Sequence, residues 1–127
     1  MKIDGIHHIG LRALDAEKSL EFYKKLGGKV VHSFPMGDSG KTIYLVDLGN
    51  NAVVEIIPNS KGEEESTPNW LHLALRTDDA RAYYDLALKA GATPHIEPKD
   101  VNLGTMPATI AFVRGPDKEV LEFFHVH

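Results

Sequence analysis

The sequence contains no cysteine, so disulfides, thiolate nucleophiles and thiolate metal ligands are all excluded. No stretch approaches the roughly 20 consecutive apolar residues that a membrane-spanning helix needs, and the start of the chain shows no signal-peptide pattern. Basic residues are fewer than acidic ones, and the net charge of −4 argues against a nucleic-acid-binding face. These absences predict a cytoplasmic protein without membrane or nucleic-acid partners, in which only histidines and carboxylates can hold a metal.

One pattern is written twice along the 127 residues. Residues 8–16 and 72–80 both read as an apolar strand led by a histidine, followed by an arginine, an acidic helix cap and a helix. Gly27 and Gly91 end the two helices and lie as far apart as His8 and His72. The later strands also repeat, but with three extra residues in the second copy, between its helix and its third strand.

Each copy reads as a strand, a helix and three further strands, which predicts an α+β fold of two βαβββ modules forming a cupped mixed sheet. The modules span about 1–58 and 69–127 and form a single domain, joined by an exposed, charged linker. Asp15 is expected to cap the first helix, and Asp78 or Asp79 the second. The turn signals lie at Gly49-Asn50-Asn51 and Gly115-Pro116-Asp117-Lys118. Residues 98–107 are interpreted as a long loop that covers the candidate functional site.

Four residues form mirrored pairs in the two copies: His8 with Glu55, and His72 with Glu122. Each glutamate stands in the middle of an apolar strand, where burial is costly unless the carboxylate is paired or bound to a metal. Two histidines and two carboxylates suit Zn²⁺, Ni²⁺ or Co²⁺. The mirrored pattern therefore predicts one divalent metal between the two modules.

Ordinary ion pairs are the alternative explanation for these glutamates. Glu55 can pair with Arg12, and Glu122 with Arg76, without any metal. For one residue taken alone we favour that interpretation, but all four residues in matching register favour the metal. The remaining histidines have no mirrored partner and are interpreted as structural or exposed residues; they are His7, His32, His95, His125 and His127.

The chain resembles the vicinal oxygen chelate superfamily, which includes glyoxalase I, extradiol dioxygenases, methylmalonyl-CoA epimerase and fosfomycin or bleomycin resistance proteins. Three segments of this sequence carry the resemblance: residues 8–12 (HIGLR), 19–23 (SLEFY) and 115–123, with Gly115-Pro116-Asp117 followed by Leu121-Glu122-Phe123. The resemblance covers essentially the whole chain and implies paired βαβββ modules around a metal, in a homodimer. The modules of one site can come from one chain or from two.

Glyoxalase I is the most similar pattern within the superfamily. Its bacterial His-Glu-His-Glu metal set falls on His8, Glu55, His72 and Glu122. The resemblance also implies that Glu122 acts as the catalytic base and Glu55 as its symmetric counterpart.

The substrate-binding residues that the resemblance implies are Arg12 and Asn59, which would hold the thiol. Two family features have no counterpart here: the basic stretch within residues 98–107, and an arginine just ahead of His72, where residues 67–70 are uncharged. The resemblance therefore implies the reaction without specifying the thiol.

Other members of the superfamily provide the alternatives. A methylmalonyl-CoA epimerase-like enzyme uses a similar metal set to move a proton next to a thioester. An extradiol dioxygenase needs iron on two histidines and one carboxylate, which leaves Glu55 unexplained. A resistance-type binding protein without a metal would bind a small molecule and not convert it.

Overall fold

Ten secondary-structure elements make up the chain in this computed structural model, which describes residues 1–59, 69–115 and 119–127. Their order is the predicted βαβββ pattern written twice. The elements are β1 (Ile3–Ala13), α1 (Ala16–Lys25), β2 (Lys29–Pro35), β3 (Thr42–Asp47), β4 (Val53–Pro58), β5 (Asn69–Thr77), α2 (Ala80–Lys89), β6 (Thr93–Leu103), β7 (Met106–Arg114) and β8 (Val120–Val126). Within those described ranges, neither helix combines the length and the apolar character needed to cross a bilayer.

The chain divides into two compact units. The first unit comprises residues 8–71, and the second comprises residues 72–127 together with residues 1–7. The predicted α+β chain of two βαβββ modules is confirmed, although the first seven residues belong with the second half of the sequence. The predicted linker lies almost entirely in residues 60–68, which are outside the described residues.

The strands of the first unit are ordered β2-β3-β4-β1. β1 and β4 run parallel, whereas β3 runs antiparallel to β4 and β2 antiparallel to β3. One face of this sheet packs against α1 through a buried cluster: Ala13, Leu20, Val46, Val54 and Ile56. Val46 and Ile56 are fully buried, and each such side chain contributes about 1.5–3 kcal/mol through removal from water.

The second unit repeats this connectivity in the order β5-β8-β7-β6. β5 and β8 are parallel, and the other two pairings are antiparallel. The face toward α2 is filled by Ala80, Tyr84, Ala111, Val113 and Phe123. A second buried cluster on the opposite face contains Ala74, Ala108 and Phe124, as the alternation of side chains along β8 requires.

Both helices begin and end where the sequence predicts. The Asp15 carboxylate accepts the backbone N–H of Lys18 at 3.1 Å. Of the two candidates in the second module, Asp79 is the cap, and it accepts the N–H of Ala82 at 3.0 Å. Gly27 and Gly91 follow the helices with φ of +101° and +109°, the left-handed conformation that favours glycine.

The hairpin between β3 and β4 is also as predicted. Asn50 and Asn51 both have positive φ, 51° and 63°, which is the conformation of the tight turns that match strand twist. The backbone N–H of Leu48 donates to the carbonyl of Ala52 at 2.9 Å and closes the turn. The predicted turn at residues 115–118 falls mostly on residues 116–118, outside the described part of the chain.

The prediction of a loop over residues 98–107 is wrong. β6 continues to Leu103, β7 begins at Met106, and the two strands pair along this stretch, with Lys99 opposite Ile110 and Asn102 opposite Pro107. Register shifts between Pro94 and Lys99 absorb the irregular positions, because a proline is tolerated where the ladder is interrupted. Val101 and Leu103 then alternate onto the cluster around Phe124.

Candidate metal centre

The first unit places His8 beside Glu55. Glu55 in β4 lies opposite Gly10 of β1, and His8 stands two residues before Gly10 on the same strand face. The Nε2 atom of His8 is 3.6 Å from Oε1 of Glu55. Both residues are buried, at 1% and 8% exposure. They lie on the face opposite the α1 cluster, because Glu55 alternates with Val54 and Ile56.

The second unit builds the same pair. Glu122 of β8 lies opposite Ala74 of β5, and His72 precedes Ala74 by two residues. The Nε2 atom of His72 is 3.1 Å from Oε1 of Glu122. Glu122 is 3% exposed, and the ring of Phe112 packs edge-on against His72 at 5.6 Å between centroids. In both units a small residue lies opposite the glutamate on the neighbouring strand: Gly10 opposite Glu55, and Ala74 opposite Glu122.

Each pair has the separation expected of two ligands on one metal. Zinc bonds to histidine nitrogen and carboxylate oxygen are about 2.0–2.2 Å long, which in tetrahedral geometry puts neighbouring ligand atoms about 3.3–3.6 Å apart. The Nε2–Oε1 distance is 3.6 Å in the first unit, at the upper end of that range, and 3.1 Å in the second, within about 0.2 Å of its lower end. The donor set of imidazole nitrogen and carboxylate oxygen fits Zn²⁺, Ni²⁺ and Co²⁺. A metal would also compensate two carboxylates that are otherwise costly to bury.

Comparison with known proteins identifies the family. The family model described as the Glyoxalase/Bleomycin resistance protein/Dioxygenase superfamily matches residues 5–123. The chain belongs to this superfamily. Its members typically bind a divalent metal, act on or bind small molecules, and commonly form dimers.

Two curated relatives match nearly the whole chain. A protein of Vibrio cholerae serotype O1 named "Probable lactoylglutathione lyase" is 31% identical over 122 residues, covering 92% of this chain and 87% of the relative. The uncharacterized protein YwbC of Bacillus subtilis is 30% identical over 125 residues, covering 94% and 95%.

Among solved structures, methylmalonyl-CoA epimerase from Mycobacterium tuberculosis superposes with a TM-score of 0.79 at 21% identity, covering 97% of this chain and 88% of the other. At this identity the likeness establishes the fold of the superfamily and not the reaction.

Arg12 and Asn59 lie at the carboxyl ends of β1 and β4 in the first unit. Arg12 is half-buried on the strand face that carries His8. Asn59 is 8% exposed, and its backbone N–H donates to the carbonyl of Ala13 at 3.2 Å. Its side-chain Oδ1 is buried and accepts no hydrogen bond from the residues that the structure describes. That oxygen is an acceptor suited to a donor group on a ligand.

Lys41 is a neighbour of Asn59 that sequence reasoning missed. Its Nζ donates to the backbone carbonyl of Asn59, and both residues line a cavity of about 360 Å³ next to the start of α1. No motif marks this lysine, because the contact depends on the fold bringing the start of β3 to the end of β4.

On the helix side of the same sheet, Tyr44 donates to the carboxylate of Glu17 at 3.2 Å. Burial raises the pKa of Tyr44 above its usual value, and the charge of Glu17 adds to the increase. This contact ties α1 to β3, and the tyrosine stays protonated at neutral pH.

Proposed function

We propose that this protein is a metal-dependent, glyoxalase I-like enzyme. Its reaction would convert the hemithioacetal of a 2-oxoaldehyde and a thiol into a 2-hydroxy thioester. The observation that carries the proposal is the pair of buried histidine–glutamate contacts, built in the same register in both units. The V. cholerae relative with a lactoylglutathione lyase name supports the same reaction class.

The proposed metal ligands are His8, Glu55, His72 and Glu122. When bound, the metal supplies Lewis-acid stabilisation of the negative charge that develops on two adjacent substrate oxygens. The proposal holds whether one chain supplies both histidine–glutamate pairs or two chains of a homodimer supply one pair each.

Glu122 is proposed as the base that takes the proton from the hemithioacetal carbon, and Glu55 as the group that delivers a proton to the neighbouring carbon. The step is an isomerisation: one C–H bond breaks, another forms, and no external oxidant or reductant is needed. A positioned carboxylate within hydrogen-bond reach of the proton contributes typically 10²–10⁴-fold to such a step. The burial of both glutamates keeps water from competing for the proton.

Arg12 and Asn59 are proposed to hold the thiol portion of the substrate. The arginine is suited to a carboxylate. The buried Oδ1 of Asn59 is suited to an amide N–H. Neither residue would take part in the proton transfer, so the substitutions Arg12→Gln and Asn59→Ala are expected to raise KM more than they lower kcat.

The deciding assay follows thioester formation from methylglyoxal with glutathione, with bacillithiol or with no added thiol. Metal-loaded wild type is expected to turn over with at least one thiol, and Glu122→Gln to lose about 10²–10⁴-fold in kcat. Wild type that is metal-loaded and inactive with every thiol would refute the proposal.

Epimerisation next to a thioester is the alternative, since the same donor set and the same two carboxylates would serve it. Exchange of the α-proton of methylmalonyl-CoA in D₂O measures that activity directly. Exchange without any hemithioacetal turnover would replace the glyoxalase proposal with the epimerase. Stoichiometric retention of a small molecule without either turnover would instead indicate a binding protein.

A further inference from the structure

The second unit contains a cavity of about 300 Å³ whose lining includes none of the residues assigned a role in the proposed reaction. Its walls come from the start of β1, the end of β5 and the end of β8, and the charged groups on them are Lys2, Asp4, Arg76 and Asp78. A volume of this size is at the lower end of those that hold small ligands.

Hydrogen bonds hold the walls of this cavity in place. The Thr77 hydroxyl donates to the backbone carbonyl of Lys2 at 2.8 Å, and the backbone N–H of Lys2 donates to the Asp78 carboxylate at 2.8 Å. Thr77 also accepts the N–H of Asp79 at 3.1 Å. These hydrogen bonds connect the start of β1 to the end of β5 and so hold the walls of the cavity together.

Arg76 is the half-buried cation on these walls. Its Nη1 donates to the backbone carbonyl of Asp4 at 3.1 Å. Among the described residues, this is the one hydrogen bond that the Arg76 side chain makes, and no carboxylate forms an ion pair with it. The side chain is half-buried, and four of the five N–H groups of a guanidinium remain for a ligand.

The two carboxylates on the cavity wall do not cancel this charge. The Asp78 carboxylate accepts the N–H of Lys2 and lies 3.7 Å from the amino group of Met1. The N–H of Lys2 is also the main reason that the pKa of Asp78 is lowered. Asp4 is exposed to solvent, which screens its carboxylate.

We propose that this cavity binds a carboxylate or phosphate group through the guanidinium of Arg76, with the ammonium of Lys2 as a second contact. Arginine presents a planar pair of N–H donors that matches both anions. The ligand is small, because a cavity of about 300 Å³ is at the lower end of the volumes of ligand-binding sites.

The bound anion has two chemical sources that the position of Arg76 permits. Arg76 shares a face of β5 with His72 and lies four residues further along, which is about 13 Å. An anionic group at that distance can be the remote end of the thiol substrate, a source that rests on the proposed function. The other source is a free anion that binds independently of the reaction.

The test is a titration of zinc-loaded, ¹⁵N-labelled protein with sodium phosphate at constant ionic strength, with sodium chloride as the reference salt. Saturable shifts are expected in the backbone signals of Arg76, Thr77 and His125. Arg76→Gln is expected to weaken phosphate binding by about tenfold or more. Lys2→Gln, an exposed position that leaves the fold intact, is expected to cause a smaller loss.

Arg81→Gln is the matched control, because Arg81 already has a carboxylate partner in Asp100 at 3.2 Å and does not line the cavity. It is expected to bind phosphate like wild type. No saturable shift at the cavity signals, or equal affinity in wild type and Arg76→Gln, would overturn the proposal.

A second titration with S-methylglutathione separates the two sources. Shifts of the same signals and competition with phosphate would assign the site to the substrate, whereas simultaneous binding of both would assign it to a free anion. Neither titration needs turnover, so an inactive enzyme that still binds phosphate at Arg76 leaves this inference standing when the proposed function fails.

Discussion

Replacing Glu122 with glutamine removes one negative charge from the proposed metal set and keeps the shape of the side chain. Glu122 is 3% exposed and its Oε1 lies 3.1 Å from Nε2 of His72, so the change acts on a buried contact and not on a solvated one. We expect the metal affinity to fall while the fold is retained.

The magnitude follows from the position of the carboxylate. Residues that only support a metal ligand contribute about 10–100-fold to metal affinity, so loss of a direct ligand is expected to cost at least about 100-fold, or about 2.7 kcal/mol. A metal concentration 100 times the wild-type Kd stabilises the wild type by about 2.7 kcal/mol. The same concentration stabilises the variant by only about 0.4 kcal/mol.

Thermal unfolding with and without added metal measures this difference. For a domain of this length, 1 kcal/mol corresponds to roughly 3–5 °C in Tm. Metal is therefore expected to raise the wild-type Tm by roughly 8–13 °C and that of Glu122→Gln by roughly 1–2 °C. Elemental analysis after gel filtration gives an independent reading of metal content.

Glu97→Gln is the control, because it makes the same chemical change at an exposed position of β6. It should respond to metal like wild type. If Glu122→Gln and His72→Ala both kept the wild-type metal content and the full metal-induced shift in Tm, the ligand assignment would be refuted.

Two further predictions concern stability. Gly28→Ala is expected to destabilise the protein by about 1–3 kcal/mol, because the added Cβ would lie 2.7 Å from the carbonyl oxygen of Tyr23 and 2.8 Å from Val46; an unchanged urea midpoint would contradict this packing. Thr109→Val is expected to lower Tm at pH 7, because the Thr109 hydroxyl donates to Asp100 at 2.6 Å and is the main cause of the lowered pKa of that carboxyl group. A carboxyl group whose pKa is lowered in the native state stabilises the folded protein at pH values above its unfolded pKa of about 3.9. It loses that contribution as the pH falls through its native pKa. The difference in Tm between wild type and this variant should therefore shrink toward pH 2, and a constant difference would show that Asp100 is not involved.

The sequence determined the modules, the helix limits and the strand faces. Asp15 and Asp79 cap their helices through contacts with residues three positions away, so local chemistry decides them. Side chains alternate along any strand, which is why Glu55 could be assigned to the face opposite Val54 and Ile56 without a structure.

Pairing between strands was decided only by the tertiary structure. Residues 98–107 read as a loop because two prolines and a glycine interrupt them, yet they extend the β6–β7 hairpin through register shifts. Such shifts depend on the partner strand, and a sequence window does not contain that partner. The choice of Asp79 over Asp78 as the helix cap has the same origin, since Asp78 is engaged by the backbone of Lys2, 76 residues away.

For the candidate site, too, the sequence and the tertiary structure contributed different information. Repetition along the sequence was enough to predict His8, Glu55, His72 and Glu122 as a set, because each copy places a carboxylate in an apolar strand and a histidine at matching positions. The structure added that each glutamate sits in register beside Gly10 or Ala74, with the imidazole Nε2 turned toward it. The reason is that residue type and face are properties of one strand, whereas the distance between two side chains depends on how strands far apart in the sequence are aligned.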